Sequence, residues 1–194
     1  MKRISFVLFL IVFAATELFA ADTYTVDKSH TSVGFKVTHM VVTTVRGKFN
    51  GFDASLKFDQ NNLDNFLANA TIETATIDTD NQKRDDHLRS DDFFNAEQFP
   101  EIKFVANKVE KTEDGYKAIG DLTIRDVTRQ VEMPFIVNGP VQDPWGNTRI
   151  GIEGSTTINR QDFNVRWNNT LDNGGLVVSD DVEIIIEAQF VKDK

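Results

Sequence analysis

From Tyr24 almost to the C-terminus, apolar and polar side chains alternate with a period of two. That rhythm gives a chain one apolar face only if it is extended, so it predicts β-strands throughout. Val33, Phe35 and Val37 fall on one face, with Ser32, Gly34 and Lys36 on the other. Val45, Gly47 and Phe49 follow, then Phe52, Ala54, Leu56 and Phe58, then Ala68, Ala70 and Ile72. Further on come Ile102, Phe104 and Ala106, and then Ala118, Gly120, Leu122 and Ile124. The last sets are Val131, Met133, Phe135 and Val137, then Ile150, Ile152, Gly154, Thr156 and Ile158, and finally Val182, Ile184, Ile186, Ala188 and Phe190.

Turn signals punctuate these runs. Asn50-Gly51 reads as a two-residue hairpin turn, because both residue types tolerate positive φ. Asp114-Gly115, Asn138-Gly139-Pro140, Asp143-Pro144-Trp145-Gly146 and Asn173-Gly174-Gly175 are further turns. Arg125 to Arg129 reads as a polar connection. Pro134 inside a strand calls for an edge, a bulge or an outward N–H. Hairpin-length links make the pairing antiparallel. About eight to ten strands with one apolar face each favour a closed barrel or a sandwich over an open sheet. The small residues Gly34, Gly47, Ala54, Ala70, Gly120 and Gly154 among the inward set leave two readings. They leave room for a guest, or they are ordinary barrel-corner residues.

The rhythm breaks once, at Arg84 to Phe104. Thr79 or Asp80 can cap a helix over Asn81–Arg89, in which Asp85 and Arg89 sit four apart with the acid first. Leu88 is its only large apolar residue, so a helix this short must be pinned by its flanks, with Phe93, Phe94, Phe99 and Pro100 as the pins. It reads as a plug at one end of a β structure, and also as a charged lid at a ligand mouth.

Composition removes several function classes. Formal net charge is −9, which disfavours a nucleic-acid partner. Lys2 and Arg3, the apolar run Ile4 to Ala15 and Leu18-Phe19-Ala20 read as an export leader over residues 1–20, cleaved near Ala20. The remainder, residues 21–194, reads as one domain without a transmembrane anchor, and no cysteine is present to staple it. His30, His39 and His87 lack metal-ligand spacing, so neither a metal nor a cofactor is expected. Asp27-Lys28-Ser29-His30 reads as turn chemistry, and no G-x-S-x-G elbow accompanies it. Asp85, Asp86, Asp91 and Asp92 read as solvated or paired with Arg84 and Arg89. Arg46, Arg84, His87 and Arg89 are the nearest thing to a polar recognition set, and pairing with local acids is their plainer role.

RDDHLRSDDFF with FPEIKF, then GDLTIRDVTRQV, DPWGNTRIGIEG and NRQDFNV, resembles the YceI-like family of bacterial periplasmic proteins. The resemblance implies an all-β, extended antiparallel barrel of eight to ten strands, lipocalin-like, with one short helix inserted across one end. It implies a periplasmic carrier holding a polyisoprenoid lipid or an isoprenoid quinone in an apolar tunnel, without catalysis; a homodimer is compatible with it. The tunnel wall would then be Val33, Phe35, Val37, Phe52, Leu56 and Ile72 from the first half of the chain. Phe104, Leu122, Ile124, Met133, Phe135, Ile152, Ile184 and Ile186 would complete it, with Arg46, Arg84, His87 and Arg89 near the head group. Two alternatives stand beside this. One is an enzyme acting on an isoprenoid with His87 and Asp85; the other is a barrel filled by its own side chains.

Overall fold

A computed structural model describes residues 21–169 and 176–194. The expected leader and the Asn173-Gly174-Gly175 turn lie outside the described residues. Eleven strands form one antiparallel sheet: β1 (Thr23–Val26), β2 (Ser32–His39), β3 (Thr43–Phe49), β4 (Phe52–Lys57), β5 (Leu67–Glu73) and β6 (Ile77–Asp78) precede the helix α1 (Gln82–Arg89). After it come β7 (Glu101–Lys111), β8 (Tyr116–Ile124), β9 (Val127–Gln142), β10 (Thr148–Asn159) and β11 (Val178–Lys192).

The sheet closes, because β11 pairs with β10 on one side and with both β1 and β2 on the other. Strands β1, β4, β5 and β7–β11 form the eight-membered ring, and β2, β3 and β6 prolong three of its staves. β2 continues β1, since both run along β11. β3 and β4 run back along β2 and β1 in turn, and β5 and β6 run along β4 and β3. Each stave thus lies beside its sequence neighbour, which makes an up-and-down barrel with a period-two inner face.

This corrects the reading of Asn50-Gly51. β3 and β4 are not partners, and neither Asn50 nor Gly51 has positive φ. The pair is a bend within one stave, where Gly51 N donates to Thr76 Oγ1 (2.9 Å) and Glu73 N to Gly51 O (2.8 Å). Asp114-Gly115 and Asp143–Gly146 do turn β7 into β8 and β9 into β10, but two further hairpins lack such a signal. Met40 and Val41 (φ 53° and 60°) turn β2 into β3, and Arg125 and Asp126 (φ 50° and 60°) turn β8 into β9. Neither has the Asn-Gly chemistry that marks such turns in a sequence.

Pro134 sits where the β9–β10 ladder stops. The last pair is Phe135 with Gly154; before it β9 pairs only with β8, and beyond it β10 pairs only with β11. The missing N–H therefore falls at a parting of two staves. The 3-10 turn Arg160–Phe163 packs against β9 and β11 near this parting, with Phe163 only 2% exposed.

A polar knot ties the junction of β1 and β2 to β10 and β11. Asp27 accepts from Ser29 N and Oγ, from Arg149 Nη1 (2.6 Å) and from Gln189 Nε2 (3.2 Å), while its Oδ2 contacts His30 Nδ1 (3.0 Å). Arg149 Nε also donates to Asp143 Oδ2 (2.6 Å). Hydrogen bonds from Ser29, Arg149 and His30 hold the Asp27 carboxyl well below the ordinary carboxylate range. At Asp143 burial opposes ionisation, but Arg149 and Asn147 outweigh it and its pKa is lowered too. A depressed folded pKa adds stability above the unfolded value of about 3.8, lost as the pH falls through the folded value. Asp27→Asn is therefore expected to lower the urea midpoint at neutral pH. The gap to the wild type should narrow steadily below about pH 4, read by circular dichroism across a pH series.

Candidate functional site

Period-two strands in a closed ring send half their side chains to one axis. Here those side chains do not fill it. A cavity of about 270 Å³ lies inside the barrel, many times the ~10–15 Å³ that one water needs. Its wall takes in every residue predicted for the tunnel. Val33, Phe35 and Val37 come from β2, Phe52 and Leu56 from β4, Ile72 from β5, and Phe104 from β7. Leu122 and Ile124 come from β8, Met133 and Phe135 from β9, Ile152 from β10, and Ile184 and Ile186 from β11.

The wall is unevenly covered. Phe52, Leu56, Ile72, Leu122 and Ile124 are buried against neighbours. Val33, Phe35, Val37, Ile152, Ile184 and Ile186 face the same cavity yet are only half-buried. The filled-core alternative is therefore not what this barrel adopts. Small residues contribute less room than the sequence suggests. A Cβ on Gly47 would meet the Phe35 ring, and one on Gly120 would meet Ala106 Cβ at 2.5 Å. Those two glycines admit neighbours; Ala54 and Ala70, paired across β4 and β5, do line the cavity.

The two rims differ. At the rim of the β7–β8 turn, Phe58 meets Tyr116 edge-on at 5.1 Å, Tyr116 stacks on Phe135 at 5.6 Å, and Phe66 stacks on Phe135 at 6.4 Å. Phe58, Phe66 and Phe135 are all buried, so this rim is stoppered by rings. At the helix rim the cavity is bordered by half-buried Val37, Leu88, Phe94, Val178 and Val182. Phe94 meets Phe49 edge-on at 6.0 Å. Between Val182 and Phe190, eight residue steps at ~3.3 Å and a tilt of ~40° make roughly 20 Å of axis.

α1 is the plug the sequence suggests, built differently in detail. Asn81, not Thr79 or Asp80, caps it, accepting from Arg84 N (3.1 Å). Asp85 does not pair with Arg89. It is buried, and accepts from Thr79 N (2.9 Å) and Thr79 Oγ1. Arg84 donates to Thr79 Oγ1 (2.7 Å) and Thr79 O (2.6 Å). Arg89 donates to Ile77 O (3.1 Å) and pairs with Asp86 (2.7 Å). His87 contacts Asp92 through Nε2 (2.8 Å), with its ring edge-on to Phe93 and Trp167.

None of Arg46, Arg84, His87 and Arg89 lines the cavity. Arg84 and Arg89 staple the helix to β6, and Arg46 lies on β3, exposed. Asp85 and His87 bond to different partners, so they do not form the pair an enzyme would need. The Ser29–His30–Asp27 cluster is not a triad either, since Ser29 Oγ and Asp27 share the same His30 nitrogen.

Two arginines that matter at this rim were not picked out from the sequence. Arg160, 5% exposed, borders the cavity and donates to Ser179 O (2.9 Å), Val165 O (2.7 Å) and Trp167 O (2.8 Å). Burial lowers its pKa, against the pull of Asp180. Arg125 reaches from the β8–β9 turn to Phe93 O (2.6 Å) and Asn164 O (2.9 Å). Their only sequence signal is membership of the NRQDFNV and GDLTIRDVTRQV stretches.

An antiparallel barrel closed around an apolar chamber, stoppered by rings at one rim and bridged by a helix at the other, belongs to the class of ligand-enclosing β-barrels. The chain is a member of the YceI-like domain family, whose model matches residues 24–190. A UPF0312 protein of Yersinia enterocolitica is 36% identical over 186 residues, covering 95% of this chain and 93% of that one. Burkholderia cenocepacia BcnA aligns with a TM-score of 0.75 at 25% identity, over 84% of this chain and 98% of that one. The Campylobacter jejuni YCEI protein aligns with a TM-score of 0.70 at 33% identity, over 88% and 98%. A polyisoprenoid binding domain from Saccharophagus degradans shares the fold with a TM-score of 0.66 at 11% identity, over 88% and 98%.

Asp85→Ala leaves Thr79 N and Thr79 Oγ1 without their acceptor in a buried place. It is expected to cost about 1–3 kcal/mol in equilibrium urea unfolding. Asp86→Ala, on the exposed side of the same helix, is expected to leave the urea midpoint nearly unchanged.

Proposed function

We propose that the protein is a periplasmic carrier that sheathes the tail of a long-chain isoprenoid lipid, polyprenyl or quinone-like, in the barrel chamber. The observation that carries this reading is the half-buried apolar wall of Val33, Phe35, Val37, Ile152, Ile184 and Ile186. An apolar chamber this size is poorly filled by water, whereas a branched hydrocarbon tail supplies the dispersion partners its wall lacks. At ~0.8 kcal/mol per buried carbon, ten carbons give about 8 kcal/mol before ordering costs, so a longer buried stretch is what carries the net affinity to the micromolar range. A chamber axis of roughly 20 Å is about two-thirds of the ~30 Å core of a bilayer, so it takes a long tail in part or folded.

The bordering cation, Arg160, is spent on main-chain carbonyls and Asp180. The head group is therefore neutral or stays outside, which favours a quinone or polyprenol over a phosphate held within. The polyisoprenoid-binding role of the Saccharophagus degradans domain, which shares this architecture, supports the same class of occupant. The expected leader supports a periplasmic location for the carrier.

Native mass spectrometry of protein secreted from cells carrying the full-length coding sequence is expected to show a bound isoprenoid, released on denaturation. Ala70→Phe, which fills the chamber without adding charge, is expected to cut the loaded fraction at least tenfold while thermal stability holds or rises. Wild-type protein that is wholly unliganded, and that takes up no added ubiquinone or polyprenol, would overturn the reading.

A further inference from the structure

Between Thr31 and Phe52 the chain holds no acidic residue, although Asp and Glu total 30 overall. Lys36, Arg46 and Lys48 lie in that stretch, which comprises β2, β3 and their turn. The turn is apolar: Met40, Val41 and Val42 are 41%, 75% and 87% exposed. Met40 and Val41 hold positive φ, a conformation that a β-branched residue rarely adopts, and for which glycine or asparagine is the usual choice. The other turn of positive-φ pairs, Arg125-Asp126, is polar.

The tip is continuous with the chamber's helix rim. Met40 N donates to Val177 O (2.9 Å), and exposed Leu176 lies beside that strand end. Val37 and Val178, which line the chamber, lie just behind. Lys36 and Arg46 are cross-strand partners of like charge. Glu183 pairs with Lys36 (2.9 Å), while Arg46 has no ion pair among the described residues. At ~3.3 Å per residue Arg46 stands about 13 Å behind Val42, so an immersed tip brings its side chain to the head-group layer. Of the nearby β11 acids, Asp180 accepts from Arg160 and Gln161 and Glu183 pairs with Lys36, which leaves Asp181 as the one without a cation among the described residues.

We infer that the β2–β3 hairpin is a membrane-docking element, inserting Met40, Val41 and Val42 into an anionic bilayer with Arg46 against the lipid phosphates. This sets the chamber's helix rim on the membrane surface. The inference goes beyond the carrier reading and does not require an isoprenoid in the chamber.

The test uses the secreted protein with vesicles of phosphatidylethanolamine and phosphatidylglycerol, and with phosphatidylcholine alone. Flotation is expected to recover wild-type protein with the anionic vesicles, and the paired substitution Val41→Asp with Val42→Asp is expected to reduce that at least tenfold. Val42→Trp is expected to show a blue-shifted emission with anionic vesicles only, and Arg46→Glu to weaken binding to them selectively. No vesicle binding by the wild type, unchanged binding by the double substitution, or no emission shift from Val42→Trp each overturns the inference. Bound isoprenoid, read on the same samples by native mass spectrometry, reports separately on the chamber.

Discussion

Ring closure is the constraint on which the rest depends. β1 and β2 both pair with β11, so the ladder has nowhere to end, and every inward side chain points at a shared axis. An open sheet could cover such an apolar face with a second layer. A closed one can cover it only with its own side chains or with a guest. Phe58, Phe66, Tyr116 and Phe135 fill one end with rings. Toward the helix the inward residues are Val, Ile and Ala with a few Phe, too small to meet across the axis, and the chamber is what remains.

Holding a chamber open has a structural consequence. Dispersion forgone along the hollow axis must be offset at the wall and the rims, and with no cysteine in the chain no disulfide contributes. The offsetting groups are buried or half-buried polar knots. Arg149 joins Asp27 to Asp143 at one place, Arg160 ties the segment after β10 to the start of β11, and Arg125 gathers the loop after α1. Each arginine is planar, with several donors in fixed directions, and so can satisfy oxygens from different segments at once. Arg160 and Arg125 hold irregular backbone where strand hydrogen bonding stops and main-chain carbonyls need donors, whereas Arg149 bridges two carboxylates.

Much of this was legible in the residue order, because inward-facing positions follow from alternation alone. The residues assigned to the tunnel wall, from Val33 to Ile186, all stand on the cavity wall. What alternation does not carry is connection. Asn50-Gly51 has hairpin chemistry but bends a stave, because β2 and β1 already offer one continuous edge for β3 and β4 to follow. Met40-Val41 has no hairpin chemistry and makes one all the same. The polar pairing of α1 was illegible for a related reason. Helical spacing favours Asp85 with Arg89, but Thr79, six residues earlier, offers Asp85 two donors in a buried place. Arg160 and Arg125 look like surface charges in sequence, since their partners are carbonyls that carry no residue-type signal.

The positions of charge set what the helix rim would offer a guest in the proposed carrier. Cations that might have met a polar guest there, Arg84, Arg89 and Arg160, are each committed to main-chain oxygens. Such commitments fix the rim's shape and remove its charge from the chamber, so selection inside rests on width, length and apolar fit alone. A site of that kind discriminates weakly between tails that differ by a methylene, since each is worth only about 0.8 kcal/mol. In the proposed carrier, discrimination then falls to what the chamber's rim touches as a tail enters, and the acid-free β2–β3 hairpin is the part of that rim built unlike the rest of an acidic protein.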